Sequence, residues 1–172
     1  DAKQVLGIDI DKTAIENASD KYRKSNLRFI EASIEHLPVE DQSVDVVVSF
    51  ETIEHVNPEL QHHFLQEIKR VLKNDGILVM STPNKKIYSD LFQYENEFHA
   101  KEFYTDEFCR FLKTYFKFAD LYYQRFEVAS IISNPDAEAL TILESSNSGD
   151  DNAKYIIAIC LSLIHISEPT RP

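Results

Sequence analysis

Glu51, Glu54, His55 and His99 are the residues of this chain whose chemistry is hardest to explain as solubility alone. Glu51, Glu54 and His55 follow directly on the apolar run V-D-V-V-V-S-F (Val44–Phe50). A strand that is continuously apolar rather than alternating reads as buried on both faces, as in a parallel sheet covered by helices. Ligands of open α/β sheets bind beyond the carboxyl ends of the strands. Ser49, Phe50 and Glu51 therefore stand where a ligand would sit, with His55 one turn further on. His99, in N-E-F-H-A-K-E-F, is the strongest candidate for contact with an acceptor or for removing its proton. His55 reads first as a helix-start histidine and second as a general base. His62 and His63 read as residues of a solvated helix.

A second group lies nearer the start. Asp9 ends the apolar strand V-L-G-I-D, where a carboxylate can accept hydrogen bonds from both hydroxyls of a ribose. Asp11 serves as N-cap of the next helix, which leaves Asp9 available for a ligand. Ser33 and Ile34 follow the strand Leu27–Ala32 and offer one hydroxyl and one apolar wall.

The elements that must position these groups alternate strand and helix. Val5–Ile8, Leu27–Ala32, Val44–Ser49, Ile77–Ser81, Phe118–Val128 and Tyr155–Cys160 read as strands. Helices are expected over Lys12–Lys24, with Ile15, Ala18 and Tyr22 inward, and from the Asn57-Pro58 start to about Lys73. A third is expected after Thr105 as cap, with Phe108, Phe111, Leu112 and Tyr115 on one face. Asn74-Asp75-Gly76 reads as a turn, and Ser145–Asn152 as a loop or disordered segment. This pattern means an α/β, Rossmann-like, doubly wound and mostly parallel sheet.

Composition narrows the partners. The chain has 172 residues, in the range of one domain, and a net charge of −11. Such an acidic balance disfavours nucleic acid and anionic membranes. Two isolated cysteines with no C-x-x-C suggest neither a disulfide framework nor a metal site. A reducing cytoplasmic setting fits that usage.

Four segments, taken together, resemble the class I S-adenosylmethionine-dependent methyltransferases. They are V-L-G-I-D, A-S-I-E-H-L-P (Ala32–Pro38), V-D-V-V-V-S-F-E-T-I-E-H-V (Val44–Val56) and S-T-P-N (Ser81–Asn84). The resemblance implies S-adenosylmethionine as cofactor, with Ile8 and Asp9 at its ribose and Ser33 and Ile34 at its adenine. Ser49, Phe50 and Glu51 would line its methionine end. Ser33 departs from the family's Asp, so the adenine contact loses its charge. The N-x-F-H-x-x-E-F segment resembles members acting on small molecules and sugars, which makes such an acceptor the expected partner and Glu51, His55 and His99 the candidate catalytic groups.

The resemblance also implies a strand order 3-2-1-4-5-7-6 with the last strand antiparallel. Asp1–Asp9 corresponds to the second strand, so the first strand and its glycine-rich loop are expected to be missing. The chain as given is accordingly expected to bind the cofactor poorly. Residues 161–172, L-S-L-I-H-I-S-E-P-T-R-P, resemble a translated transposon-end sequencing adapter. The expected division is a partial methyltransferase domain over 1–160 and a non-native tail over 161–172. Two rivals are a nicotinamide-dependent oxidoreductase, which also uses an acid after its second strand, and a non-catalytic scaffold. The first lacks a Tyr-x-x-x-Lys pair here; the second draws support from Ser33.

Overall fold

The computed structural model describes residues 2–125 and 153–162. Its elements run β1 (Val5–Asp9), α1 (Lys12–Lys21), β2 (Leu27–Glu31), β3 (Val44–Phe50), α2 (Pro58–Val71), β4 (Leu72–Pro83), α3 (Thr105–Lys113), β5 (Phe118–Gln124) and β6 (Tyr155–Leu161). A 3-10 turn, Ile53–His55, precedes α2, and a single wide turn, Lys86–Asp90, follows β4.

Among the described residues the strands form two sheets, β1-β2 and β3-β4-β6-β5. β1 and β2 are parallel, as are β3 and β4, while β6 runs antiparallel to both β4 and β5. Read as β2-β1 followed by β3-β4-β6-β5, this is the expected strand order with an interval between β1 and β3. Residues bordering that interval are apolar and exposed, including Val48 (62%) and Phe50 (54%).

The core lies under the four-stranded sheet. Phe64, Leu65 and Ile68 of α2, Phe108 and Leu112 of α3, Leu78 and Met80 of β4, and Ile156, Ala158 and Cys160 of β6 are buried together. The spacing of the α2 residues is the helical period that a one-sided apolar stripe requires. Asn57 caps α2 by accepting the Leu60 N–H at 2.9 Å, with Pro58 in the first turn, as the sequence dictates. The loop over 33–41 is tied down onto α2. Ile34 packs against the core, Leu37 is buried, and Arg70 donates to the carbonyls of Leu37 and Val39 at 3.0 and 2.9 Å. On β1, Gly7 lies so close to the Phe29 ring of β2 that a Cβ there would meet it at 2.5 Å.

Several boundaries differ from expectation, each for a local reason. α2 stops at Val71, and Leu72 pairs with Val44 in β4. Val46 next pairs with Ile77, so the expected turn 74–76 forms an irregularity within β4 opposite Asp45. Lys73 Nζ closes it on Asp45 at 2.6 Å and lowers the carboxyl pKa of Asp45. α1 ends at Lys21 and buries no residue fully, and Tyr22 is exposed. Thr105 is the first residue of α3 rather than its cap: Tyr104 holds the cap position, and the Thr105 hydroxyl is buried without a hydrogen-bond partner. β5 is described to Gln124; the expected extension to Val128 and the segment Ser145–Asn152 lie outside the described residues. β6 continues through Leu161, one residue past the expected strand end at Cys160, and Ser162 N–H reaches the Gly76 carbonyl at 3.0 Å. No helix among the described residues is long and apolar enough to cross a membrane.

Candidate active site

β3 ends in Ser49 and Phe50, and the chain turns sharply at Glu51, which adopts a left-handed φ of 50°. That conformation is costly for a residue with a Cβ and persists where neighbours over-determine it. Here the neighbour is Ser81, at the parallel end of β4. Its hydroxyl donates to Glu51 Oε1 at 2.6 Å and accepts the Glu51 N–H at 3.1 Å. Burial pushes the Glu51 carboxyl up from its ordinary pKa, and the Ser81 hydroxyl partly offsets this.

Three residues on, Glu54 is fully buried. Its main-chain carbonyl accepts the N–H groups of Ala100 and Lys101 at 2.8 and 3.1 Å. Gln61 of α2 donates to the carbonyls of Ile53 and Lys101, at 2.9 and 3.1 Å. The loop carrying His99 is thereby bound to the turn carrying Glu54 and His55. Thr82 donates to Glu54 Oε2 at 3.2 Å, whereas Glu54 Oε1 is buried with no hydrogen-bond partner. Burial raises the pKa of this carboxyl also.

His99 Nδ1 lies 2.5 Å from Glu102 Oε1, and both side chains are buried, at 6% and 8% exposure. Glu102 is held in turn by the Ser89 hydroxyl, which donates to its Oε2. A carboxylate accepts only, so Nδ1 carries the proton and Nε2 the lone pair. Asn96 agrees with that tautomer: its Oδ1 accepts the Phe98 N–H, which turns its Nδ2 toward His99 Nε2 at 3.0 Å. His55 Nδ1 lies 2.9 Å from the Phe98 carbonyl, which only accepts, so Nδ1 is the donor there. The two imidazoles meet edge to face with centroids 4.9 Å apart, and Tyr88 covers the other side of His99 at 5.4 Å.

The cofactor candidates form a separate group at the ends of β1 and β2. Asp9 pairs with Glu31 across the sheet, and the Asp9 carbonyl accepts the Ala32 N–H, so Ile8, Asp9, Ser33 and Ile34 come together. Asp9 Oδ1 accepts the Asp11 N–H at 2.9 Å, so the residue shares in the turn that starts α1, and Oδ2 remains open. Asp11 caps α1 as expected, accepting the Thr13 N–H. Ser33 Oγ accepts the Glu35 N–H at 3.2 Å. Among the described residues no hydrogen bond or ring contact joins this group to the Ser49–Glu51 group. Ser49 Oγ is buried and has no hydrogen-bond partner, which fits a site completed by a polar ligand.

A model described as "Methyltransferase domain" matches residues 1–80. A Mycobacterium tuberculosis protein named "Probable S-adenosylmethionine-dependent methyltransferase" is 38% identical over 112 residues, covering 64% of this chain and 39% of its own length. The ubiquinone biosynthesis O-methyltransferase of Pelagibacter ubique is 36% identical over 90 residues, 51% of this chain and 36% of that protein. The chain thus spans about two fifths of the length of the curated relatives it matches. In three dimensions it resembles a SAM-dependent methyltransferase from Archaeoglobus fulgidus, with TM-score 0.65, 16% identity, and coverage of 91% of this chain and 75% of that one. It also resembles N-methyltransferase NodS from Bradyrhizobium japonicum in complex with S-adenosylhomocysteine, with TM-score 0.63, 13% identity, and coverage of 92% and 66%.

The chain is similar to S-adenosylmethionine-dependent methyltransferases in sequence and has the class I methyltransferase fold. The cofactor of this family is S-adenosylmethionine, and the nicotinamide oxidoreductase reading is set aside. The sequence singles out Glu51, Glu54, His55 and His99 but not two groups that hold them, Ser81 and Glu102. Glu102 was legible as the third residue after His99. Ser81 carried no signal beyond lying in a segment of the resemblance. His62, read as solvated, has its Nδ1 2.5 Å from the Tyr115 hydroxyl and its ring against Phe111. Of the cysteines, Cys160 is buried, with its thiol pushed up to about 12, and Cys109 is half-buried.

Proposed function

We propose that the protein to which this chain belongs transfers the methyl group of S-adenosylmethionine to a small-molecule or glycan-type acceptor. The observation that carries this reading is the buried His99–Glu102 pair, with Glu51 and His55, beside the carboxyl end of β3. Asp9 would hold the ribose through its open Oδ2, Ser33 and Ile34 would meet the adenine, and Ser49 and Phe50 would border the methionine end. The cofactor supplies the electrophilic methyl group. The protein's part is to orient the acceptor, exclude water and manage the acceptor's proton.

Two features support a small acceptor. The chain's charge of −11 opposes a nucleic-acid backbone. Tyr88 closes over His99, and Lys154 lies over the Tyr88 ring at 4.9 Å, a setting for one planar or polar ring rather than a chain surface. We further infer that, in the functioning protein, the interval between β1 and β3 is filled by a further strand. Val46, Val48 and Phe50 on one side and Val5 and Leu6 on the other are apolar and exposed there. An open strand edge of this kind is otherwise an aggregation hazard.

The test is methyl incorporation from labelled S-adenosylmethionine into a panel of phenols, catechols and sugars by a version extended upstream of Asp1. Incorporation that His99→Ala abolishes is the expected result. Cofactor binding with no incorporation into any of these classes would favour the non-catalytic scaffold.

A further inference from the structure

The structure assigns a divalent transition-metal site to Glu54, His55 and His99. Each of the three offers one donor atom, and the three atoms lie within 4.8 Å of one another. His55 Nε2 and Glu54 Oε1 are 3.9 Å apart. Bonds of about 2.1 Å at tetrahedral angles put donors about 3.4 Å from each other, so the three atoms must draw together from separations of up to 4.8 Å.

Two observations besides proximity point to a cation. Glu54 Oε1 is fully buried and has no hydrogen-bond partner among the described residues, although its twin oxygen is satisfied by Thr82. Buried carboxylate oxygens are expected to be paired or to coordinate metal. Both imidazoles, moreover, are already prepared as ligands. Each donates its Nδ1 proton to a fixed acceptor, the Phe98 carbonyl for His55 and the Glu102 carboxylate for His99, so Nε2 is the nitrogen left to a cation in the neutral ring. That arrangement is how proteins orient and sharpen metal-ligating histidines. The Asn96 amide that touches His99 Nε2 would be displaced on binding.

Two imidazoles and one carboxylate suit zinc, manganese(II), iron(II) or cobalt(II) better than magnesium or calcium, which take oxygen ligands. Three protein ligands leave at least one position open. Binding of the cation stands by itself. Its role rests on the methyltransferase reading: a hydroxyl oxygen of the acceptor would occupy the open position and become more acidic there. A ligated Nε2 takes no proton, so His99 would then hold the cation rather than act as base.

The experiment is calorimetric titration of the untagged 172-residue chain with Zn2+, together with absorption spectra on adding Co2+, neither of which needs turnover. Saturable binding of one ion per chain, with the Co2+ bands of a low-coordinate nitrogen and oxygen site, is expected. His55→Ala should weaken Zn2+ binding at least ~10-fold, and Glu102→Gln, acting through His99, by ~10–100-fold. Circular dichroism checks that each variant is folded. The unaltered chain decides the matter even where a variant does not fold: Co2+ that keeps its aqueous spectrum overturns the assignment. So does Zn2+ binding that His55→Ala and Glu102→Gln leave unchanged, since the other acidic groups would then account for it. A parallel titration of S-adenosylhomocysteine into the protein extended upstream of Asp1 separates the two readings. Cation binding by the chain without nucleoside binding by the extended protein supports this site while counting against the methyltransferase reading, and the reverse result does the opposite.

Discussion

His99 and Glu102 are three residues apart in an irregular loop, yet their side chains meet at 2.5 Å in a setting almost closed to water. The contact fixes both the rotation of the imidazole and its tautomer, so whatever His99 does, it does through Nε2. Ser89 and the main chain of Glu54 hold the loop from opposite sides.

Glu102→Gln is therefore expected to lower methyl transfer by ~10–100-fold, since an amide can turn either its donor or its acceptor to Nδ1 and no longer specifies the tautomer. Stability should fall by about 1–3 kcal/mol, the cost of weakening a buried charge-assisted contact. Transfer rates from the extended protein and denaturant unfolding of the chain read the two effects separately. Full activity in Glu102→Gln would show that the pair serves the fold alone.

Glu51 gives a prediction of opposite sign for stability and function. Its left-handed φ of 50° is held by Ser81. Glu51→Gly removes the steric cost, so stability should stay within about 1 kcal/mol of the parent or rise. Methyl transfer should fall at least ~10-fold with the loss of the carboxylate. Ser81→Ala should destabilise by about 1 kcal/mol. Thermal unfolding of the two variants side by side checks the pair, and a large loss of stability in Glu51→Gly would mean that the carboxylate, not the backbone, holds this turn.

Acid stability should depend on α2. Arg70 holds the Glu67 carboxyl at about 2, far below its usual value of 4.5, and Glu67 also accepts the Leu37 N–H. A carboxylate whose pKa is depressed in the folded state adds stability that is complete above the unfolded pKa. It is lost as pH falls from about 4.5 through about 2. Glu67→Gln should cost about 2–3 kcal/mol near neutral pH and much less at about pH 2. Denaturant unfolding at both pH values checks this, and an equal loss at both would assign the effect to packing.

Much of this was legible because it is periodic or local. The strand segments, the Asn57-Pro58 helix start and the Phe108–Leu112 face follow from the chain's own repeat, and the structure has them, but β3 is not buried on both faces as its continuous apolar run suggested: Val46, Val48 and Phe50 are exposed. Irregular pairings were not legible. Nothing in Leu72–Gly76 says that β4 begins at Leu72 and bulges before Ile77, because the partner, Val44, is 28 residues away. Thr105 looks like a cap by type but is one residue too late in place. At the site, single side chains were readable from their types, but their supports were not. Ser81 and Glu51 are 30 residues apart, and nothing local to Glu54 says that the loop carrying Ala100 and Lys101 bonds to its main chain.

The most direct test of the account is calorimetric titration of S-adenosylhomocysteine into the upstream-extended protein, its Asp9→Ala variant and the 172-residue chain. The account predicts saturable binding by the extended protein and at least ~10-fold weaker binding by Asp9→Ala, because a ribose diol loses a charged acceptor. It predicts weak binding by the 172-residue chain, whose interval between β1 and β3 stays open. Undiminished binding by Asp9→Ala, or no binding by the extended protein, would contradict it.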